Sequence, residues 1–269
     1  MVKSKDDSTP SDAERLARFS GDPDFMLSLA RGLLVLRAFE REPRLTIARA
    51  ALLTGLPRPA ARRCLYTLEQ LGYLTAENGG WVLRPLLLSL ARTYLTSTRL
   101  AETAQPFLDR LRDELGESCS IGVLDGDEIV YIARAETRRI ISIALSVGSR
   151  LPAYCTSMGR VLLAALDRDQ RRQFLGAAPF AARTPYTRTG TAELEDLLDR
   201  VGVDGFALID QEMELGLRSI AVPIRDRSGR VVAAANVGVA AHRADAAELR
   251  TRLLPALTDM ATALRNDIA

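Results

Sequence analysis

A chain of 269 residues, 47% of them hydrophobic, is long for one compact unit and divides naturally into a small module and a larger partner. No apolar run approaches the ~20 residues that span a bilayer. Three scattered cysteines with no C-x-x-C spacing and a lone His242 exclude a zinc finger and fit a reducing, cytoplasmic setting with no metal or cofactor. The net charge of +2 is unevenly spread, because residues 25–85 hold nine arginines against four acids, a local excess of +5.

Residues 1–24 carry charge but no apolar stretch behind it, so they read as a disordered lead-in and not a signal peptide. Phe25 to Glu40 predicts a helix with Leu29, Leu33, Leu36 and Phe39 on one face. A second helix spans Thr46 to Thr54, Gly55-Leu56-Pro57 breaks it, and a third runs from Arg58 to Leu71. In that third helix Cys64, Leu65, Leu68 and Leu71 form the apolar face, which leaves Arg58, Arg62, Arg63 and Tyr66 pointing elsewhere. Gly72 is the expected left-handed stop. Tyr73–Ala76 and Trp81–Arg84, joined by Glu77-Asn78-Gly79-Gly80, then make a hairpin the size of a wing. Helix, turn, helix and hairpin over residues 25–85 form a winged helix-turn-helix that reads duplex DNA. A merely solvated basic face is the competing account. The positive charge is confined to this segment, as phosphate contact requires, so Arg49, Arg58, Arg62, Arg63 and Tyr66 are the candidate DNA contacts.

Leu86 to Leu95, within residues 86–100, is helical and apolar around its circumference. Intrachain packing would explain it, but a linker helix at a homodimer interface fits a reader of paired half-sites better. Residues 101–269 read as α+β. A helix from Ala101 to Leu115, interrupted by Pro106, precedes strands Ser118–Leu124 and Glu128–Ala135, joined at Asp125-Gly126-Asp127, and a third strand Ile140–Ser146. Helices follow near Thr156–Leu166, Arg168–Leu175 and Ala192–Val201, then strands Ala207–Asp210, Arg218–Arg225 and Val231–Ala240, and a closing helix Asp245–Leu264. This order predicts an antiparallel sheet with helices on one face.

Chemistry in the second domain is poorly supported. Cys155, Thr156 and Ser157 open a helix, where a thiol is acidified, yet His242 lies far along the chain and no carboxylate pair accompanies it. A hydrolase or acyltransferase using Cys155 or Ser157 is therefore the weaker reading. Thr156-Ser157-Met158-Gly159-Arg160 instead suits a carboxylate, with hydroxyls and free backbone N–H groups at the positive end of a helix. A simple N-cap with nothing bound is the alternative.

The runs Phe25–Leu33, Ala60–Arg63, Ile129–Arg134, Gly148–Tyr154, Thr156–Ala164 and Asp210–Ala221 resemble the IclR-type bacterial transcription regulators, from Phe25 to the C-terminus. They are most similar to the Pca/Pob branch, which controls protocatechuate, β-ketoadipate and 4-hydroxybenzoate breakdown. The resemblance implies a GAF/profilin-like effector domain with a curved antiparallel sheet, a small organic acid as ligand, and homodimers that pair into tetramers on operator DNA. Carried over by motif, the pocket includes Ile140, Ile143, Leu151, Ser157, Met158, Asp210, Leu217, Ser219, Asn236 and Gly238. Thr156 joins them from the helix start, and Arg134 and Tyr154 are added on chemistry, a guanidinium fork for a carboxylate and a phenol for a ring hydroxyl. For Arg134 a surface pair with Glu136 competes. Asn236 and Gly238 replace the short hydroxyl residues of glyoxylate-regulating relatives, which favours an aromatic or longer acid over glyoxylate or pyruvate.

Overall fold

The computed structural model describes residues 12–97, 99–137 and 145–268. The chain divides into two compact units, Met1–Tyr94 and Leu95–Ala269. No helix among the described residues is long and apolar enough to cross a membrane.

The first unit opens with α1 (Asp12–Ala17), so part of the expected lead-in is helical, and Ala13 packs on the core. Next come α2 (Leu27–Arg37), a 3-10 turn (Ala38–Glu40) and β1 (Arg44–Leu45). Helix α3 (Ile47–Thr54) starts where the Thr46 hydroxyl accepts the Arg49 N–H, and stops at Gly55 with φ of +72°. Helix α4 (Arg58–Gln70) begins behind Pro57 and ends before Gly72. Strands β2 (Leu74–Glu77) and β3 (Gly80–Leu83) close the hairpin through Asn78 and Gly79, both at positive φ. β1, too short to leave a pattern, pairs with β3 and makes the wing a three-stranded sheet in the order β1-β3-β2.

The core of this unit gathers Val35, Phe39, Leu45, Ala50, Ala61, Leu65, Leu68 and Leu74. Three expected core members fall outside it. Leu29 and Leu33 are exposed because Val35, Ala38 and Phe39 fill the inward side of α2, and Leu71 is exposed because the chain turns at Gly72.

Helix α5 (Leu87–Ser97) leads to α6 (Leu100–Leu115), which runs unbroken through Pro106. Among the described residues the second unit forms a six-stranded antiparallel sheet in the order β6-β5-β4-β9-β8-β7. Its members are β4 (Ser118–Asp125), β5 (Glu128–Ala135), β6 (Arg150–Pro152), β7 (Ala207–Asp210), β8 (Leu217–Arg225) and β9 (Val231–Ala240). The expected third strand falls mostly on residues outside the described ones, Leu145 and Ser146 are not in a strand, and the short edge strand lies further on, at Arg150–Pro152. Between the strands come α7 (Ser157–Ala164), α8 (Arg168–Leu175) and α9 (Thr191–Asp204). The closing helix is α10 (Ala246–Glu248), a π-helical turn (Leu249–Leu253) and α11 (Leu254–Arg265). Pro255, which has no N–H to donate, sits just past the π turn.

Helices cover both faces of the sheet, not one. On one face α6 and α11 bury Cys119, Ile121, Ile220, Val237 and Val239. On the other, α7 and α9 bury Ile129, Tyr131, Ala221 and Ala234.

Candidate functional site

In the first unit, Arg58, Arg62, Arg63 and Tyr66 all reach solvent from α4 while Ala61, Leu65 and Leu68 face the core. Arg58, Arg62 and Tyr66 recur every four residues and so form one outward stripe. Arg49 differs. Its guanidinium is hydrogen-bonded to both oxygens of the Glu42 carboxylate, an exposed pair that holds Glu42 below the usual carboxylate range.

In the second unit a cavity opens between the sheet and the start of α7. The strands reach it by alternation. Ser118 and Ser120 point toward it from β4 while Cys119 and Ile121 point to the α6 side. Leu217 and Ser219 do the same on β8, and Asn236 and Gly238 on β9. The register aligns them, since Ser120 lies opposite Asn236 and Ser118 opposite Gly238, which in turn faces Ser219. β5 needs a device, because Tyr131 and Arg134 are three apart and both line the cavity. Tyr131 pairs with Gly122 and Ala133 with Ile121, so Ile132 is a β-bulge that shifts the alternation by one.

Helix α7 supplies the opposite wall. The Thr156 hydroxyl caps it, accepting from the Gly159 N–H at 3.3 Å and donating to the Pro152 carbonyl at 3.0 Å. A Cβ at Gly159 would stand 2.1 Å from the Ala153 carbonyl oxygen, so only glycine lets the helix sit this close. Met158 reaches down to Gly122 on β4, where a Cβ would meet its sulfur at 3.2 Å. Behind the wall, Arg160 donates to the Glu212 carboxylate at 2.6 Å and to the Tyr154 carbonyl at 3.1 Å, and both charged side chains are buried. Glu212 also accepts the Arg188 N–H at 3.0 Å, which ties the 184–188 segment to the loop that carries Met213 over the cavity.

Three polar atoms at the cavity are buried without a hydrogen-bond partner among the described residues: Arg134 Nε, Ser157 Oγ and Asn236 Oδ1. Buried polar groups are normally paired, so this concentration singles the cavity out as the candidate site. Arg134 meets both sequence readings. Its Nη1 donates to Ser120 at 3.0 Å, its Nη2 lies 3.4 Å from Glu136, and its side chain is only 10% exposed.

Of the sequence candidates, Arg134, Leu151, Thr156, Ser157, Met158, Leu217, Ser219, Asn236 and Gly238 are brought together. Ile140 and Ile143 lie outside the described residues. Tyr154 and Asp210 are not brought to the cavity lining. The Tyr154 phenol donates to the Ala181 carbonyl at 2.5 Å and its ring stacks on Phe180, in a separate cluster. Asp210 accepts from Arg218 Nε at 2.8 Å; strand alternation brings its neighbour Ile209 to the cavity. Ser118, Ser120, Tyr131 and Met213 were not anticipated, although two serines alternating with Cys119 and Ile121 on a strand are a readable sign of one polar patch.

Cys155 is fully buried, its sulfur 3.6 Å from Met213 Sδ, and burial pushes its thiol up to about 11. Such a group is not a thiolate near neutral pH, the reverse of what nucleophilic catalysis requires.

Residues 92–266 match the family described as bacterial transcriptional regulator IclR C-terminal, and residues 28–77 match the IclR helix-turn-helix domain. The Pca regulon regulatory protein of Pseudomonas putida is 52% identical over 249 residues, covering 92% of this chain and 86% of that protein. A transcriptional regulator of Rhodococcus sp. RHA1 has a solved structure similar at a TM-score of 0.78 and 43% identity, covering 91% of this chain and 98% of its own. The inducer-binding domain of the Acinetobacter PobR transcription factor, a double mutant in complex with 3-hydroxybenzoic acid, matches at a TM-score of 0.60 and 34% identity, covering 62% of this chain and 98% of its own.

Proposed function

Because this chain belongs to the IclR family of bacterial transcriptional regulators, we propose that it controls aromatic-acid catabolism by binding an acid of the hydroxybenzoate or β-ketoadipate type in the cavity of its second unit. It is a DNA-binding regulator and not an enzyme. The observation that carries the ligand assignment is the trio of unpartnered buried atoms around a cavity walled partly by apolar side chains. Ser157 O–H and Arg134 Nε–H each have a hydrogen to give, and both suit a carboxylate. Asn236 Oδ1 accepts, and suits a ring hydroxyl. Leu151, Met158, Met213 and Leu217 supply apolar wall for what lies between. The ligand-bound PobR domain lends support, since its guest carries this pair of groups.

The ligand acts by differential affinity for two arrangements of a cytoplasmic homodimer, pairing into a tetramer on the operator. Support for assembly comes from apolar side chains left exposed in the single chain: Leu86, Leu88, Leu90 and Tyr94 around α5, and Met26, Leu29 and Leu33 around α2. On the DNA side, Arg58, Arg62, Arg63 and Tyr66 enter the groove, and Arg49 contributes once DNA phosphate competes with Glu42.

A thermal-shift panel tests the ligand. Protocatechuate, 3- and 4-hydroxybenzoate and β-ketoadipate are each expected to be compared with glyoxylate and pyruvate, and the first group should raise Tm increasingly with concentration. Ser157→Phe should abolish that rise. Stabilisation by glyoxylate or pyruvate while every longer acid fails would overturn the assignment.

A further inference from the structure

One side chain ties both strands of the wing to α4. Glu69 accepts the Ala76 backbone N–H at 3.3 Å through Oε1 and the Trp81 indole N–H at 3.0 Å through Oε2. Ala76 and Trp81 lie directly opposite each other on β2 and β3, so a single carboxylate spans the hairpin. Glu69 is also seven residues beyond Arg62 and three beyond Tyr66, which puts it on the outward stripe of α4. The wing is thereby fixed beside that stripe and not behind it.

The wing's other face carries a cation outside the set singled out from sequence. Leu45, Leu74 and Trp81 face the core, so alternation puts Arg44, Thr75, Glu77, Gly80 and Val82 on the outer face. The Arg44 stem crosses Gly80, where a Cβ would stand 2.9 Å from Arg44 Cγ and 3.1 Å from the Leu45 carbonyl oxygen. Its guanidinium ends near the hairpin tip, 3.9 Å from the Glu77 carboxylate, with the two side chains 44% and 52% exposed. A pair this long and this wet holds weakly and yields to a stronger anion.

We propose that Arg44 is a phosphate contact made by the wing, and that Glu69 is the positioning residue that sets the wing where Arg44 reaches the DNA backbone. The guanidinium exchanges Glu77 for a phosphate oxygen, while Arg62 and Tyr66 on the Glu69 stripe occupy the adjoining groove. A phosphate contact contributes to affinity on any sequence and to its salt dependence, at about 0.9 in the slope of log K against log salt.

The test measures binding of the full-length protein to fluorescein-labelled random-sequence duplex DNA across a salt series. Arg44→Ala should flatten the slope by about 0.9, and Glu69→Ala should do the same. The double variant should be no flatter than either single one, because a displaced wing has already lost the contact. Glu69→Gln, which keeps a carbonyl acceptor for one of the two donors, should recover part of the slope. A purely structural Glu69 would lower Tm and leave the slope alone. An unchanged slope in Arg44→Ala overturns the contact, and additive losses in the double variant overturn the positioning role. Should Glu69→Ala melt the first unit, Glu69→Asp, too short to reach both donors, reads the same coupling with Arg44→Ala.

Discussion

The two faces of the six-stranded sheet are made by the same strands and serve opposite ends. Toward α6 and α11, Cys119, Ile121, Ile220, Val237 and Val239 are all fully buried and apolar. One residue away along each strand, Ser118, Ser120, Ser219, Asn236 and Gly238 turn to the cavity. The first face gains stability from water-free packing. The second gives part of that up, with polar atoms buried and unpaired among the described residues. Strand phase thus separates the face that holds the domain together from the face proposed to take a ligand.

Three substitutions probe that separation and a fourth probes the other unit, and the largest effect belongs to a polar group behind the cavity that is already satisfied. Glu212→Ala leaves Arg160 buried without its carboxylate and should cost about 3–5 kcal/mol in urea denaturation. Ile220→Ala on the packed face should cost about 2–5 kcal/mol while leaving the ligand-induced Tm rise intact. A loss of that rise would mean the faces are coupled. In the other unit, Arg62→Ala should weaken operator binding by about 1–3 kcal/mol if it reads a guanine edge, measured by gel shift at fixed salt. Unchanged affinity would take α4 out of the groove. The smallest change in stability should come from Asn236→Leu, within about 1 kcal/mol and of either sign, because it removes an unpaired acceptor. Its ligand response should nevertheless vanish. Gross unfolding of this variant would show that Asn236 belongs to the core.

Much of this layout was legible in the residues. Gly55 and Gly72 as stops and the turn through Asn78 and Gly79 each state a local conformation, and the winged helix follows from them. Arg168–Leu175 and Glu128–Ala135 were equally plain, the latter from the turn at Gly126. What stayed hidden was non-local. β1 and β6, of two and three residues, exist only because a neighbouring strand offers partners. Leu29 and Leu33 satisfied the helical pattern, but nothing among the described residues covers them. Tyr154 was placed by chemistry that fits a ligand and Asp210 by resemblance, and each has a nearer partner, a backbone carbonyl for one and Arg218 for the other. Arg44 left no trace, because its reach to the wing tip depends on the missing side chain at Gly80.

The extra residue in β5 carries a consequence for how this strand can change. Up to Tyr131 the strand keeps time with α7, and beyond Ile132 it runs half a beat out of step, so that Ala133 and Ala135 join the α6 layer and Arg134 does not. If the strand alternated strictly with Ile132 in place, the Arg134 guanidinium would enter a layer of aliphatic side chains, where a lone charge is ruinous; deleting Ile132 itself would remove the bulge and leave Arg134 opposite Ser120. Lengthening or shortening the hairpin at Asp125–Glu128 by matched pairs would leave that phase untouched. The segment therefore tolerates paired edits at the turn and the loss of its one extra residue, and rejects any other single insertion or deletion between Tyr131 and Arg134 that the bulge does not absorb.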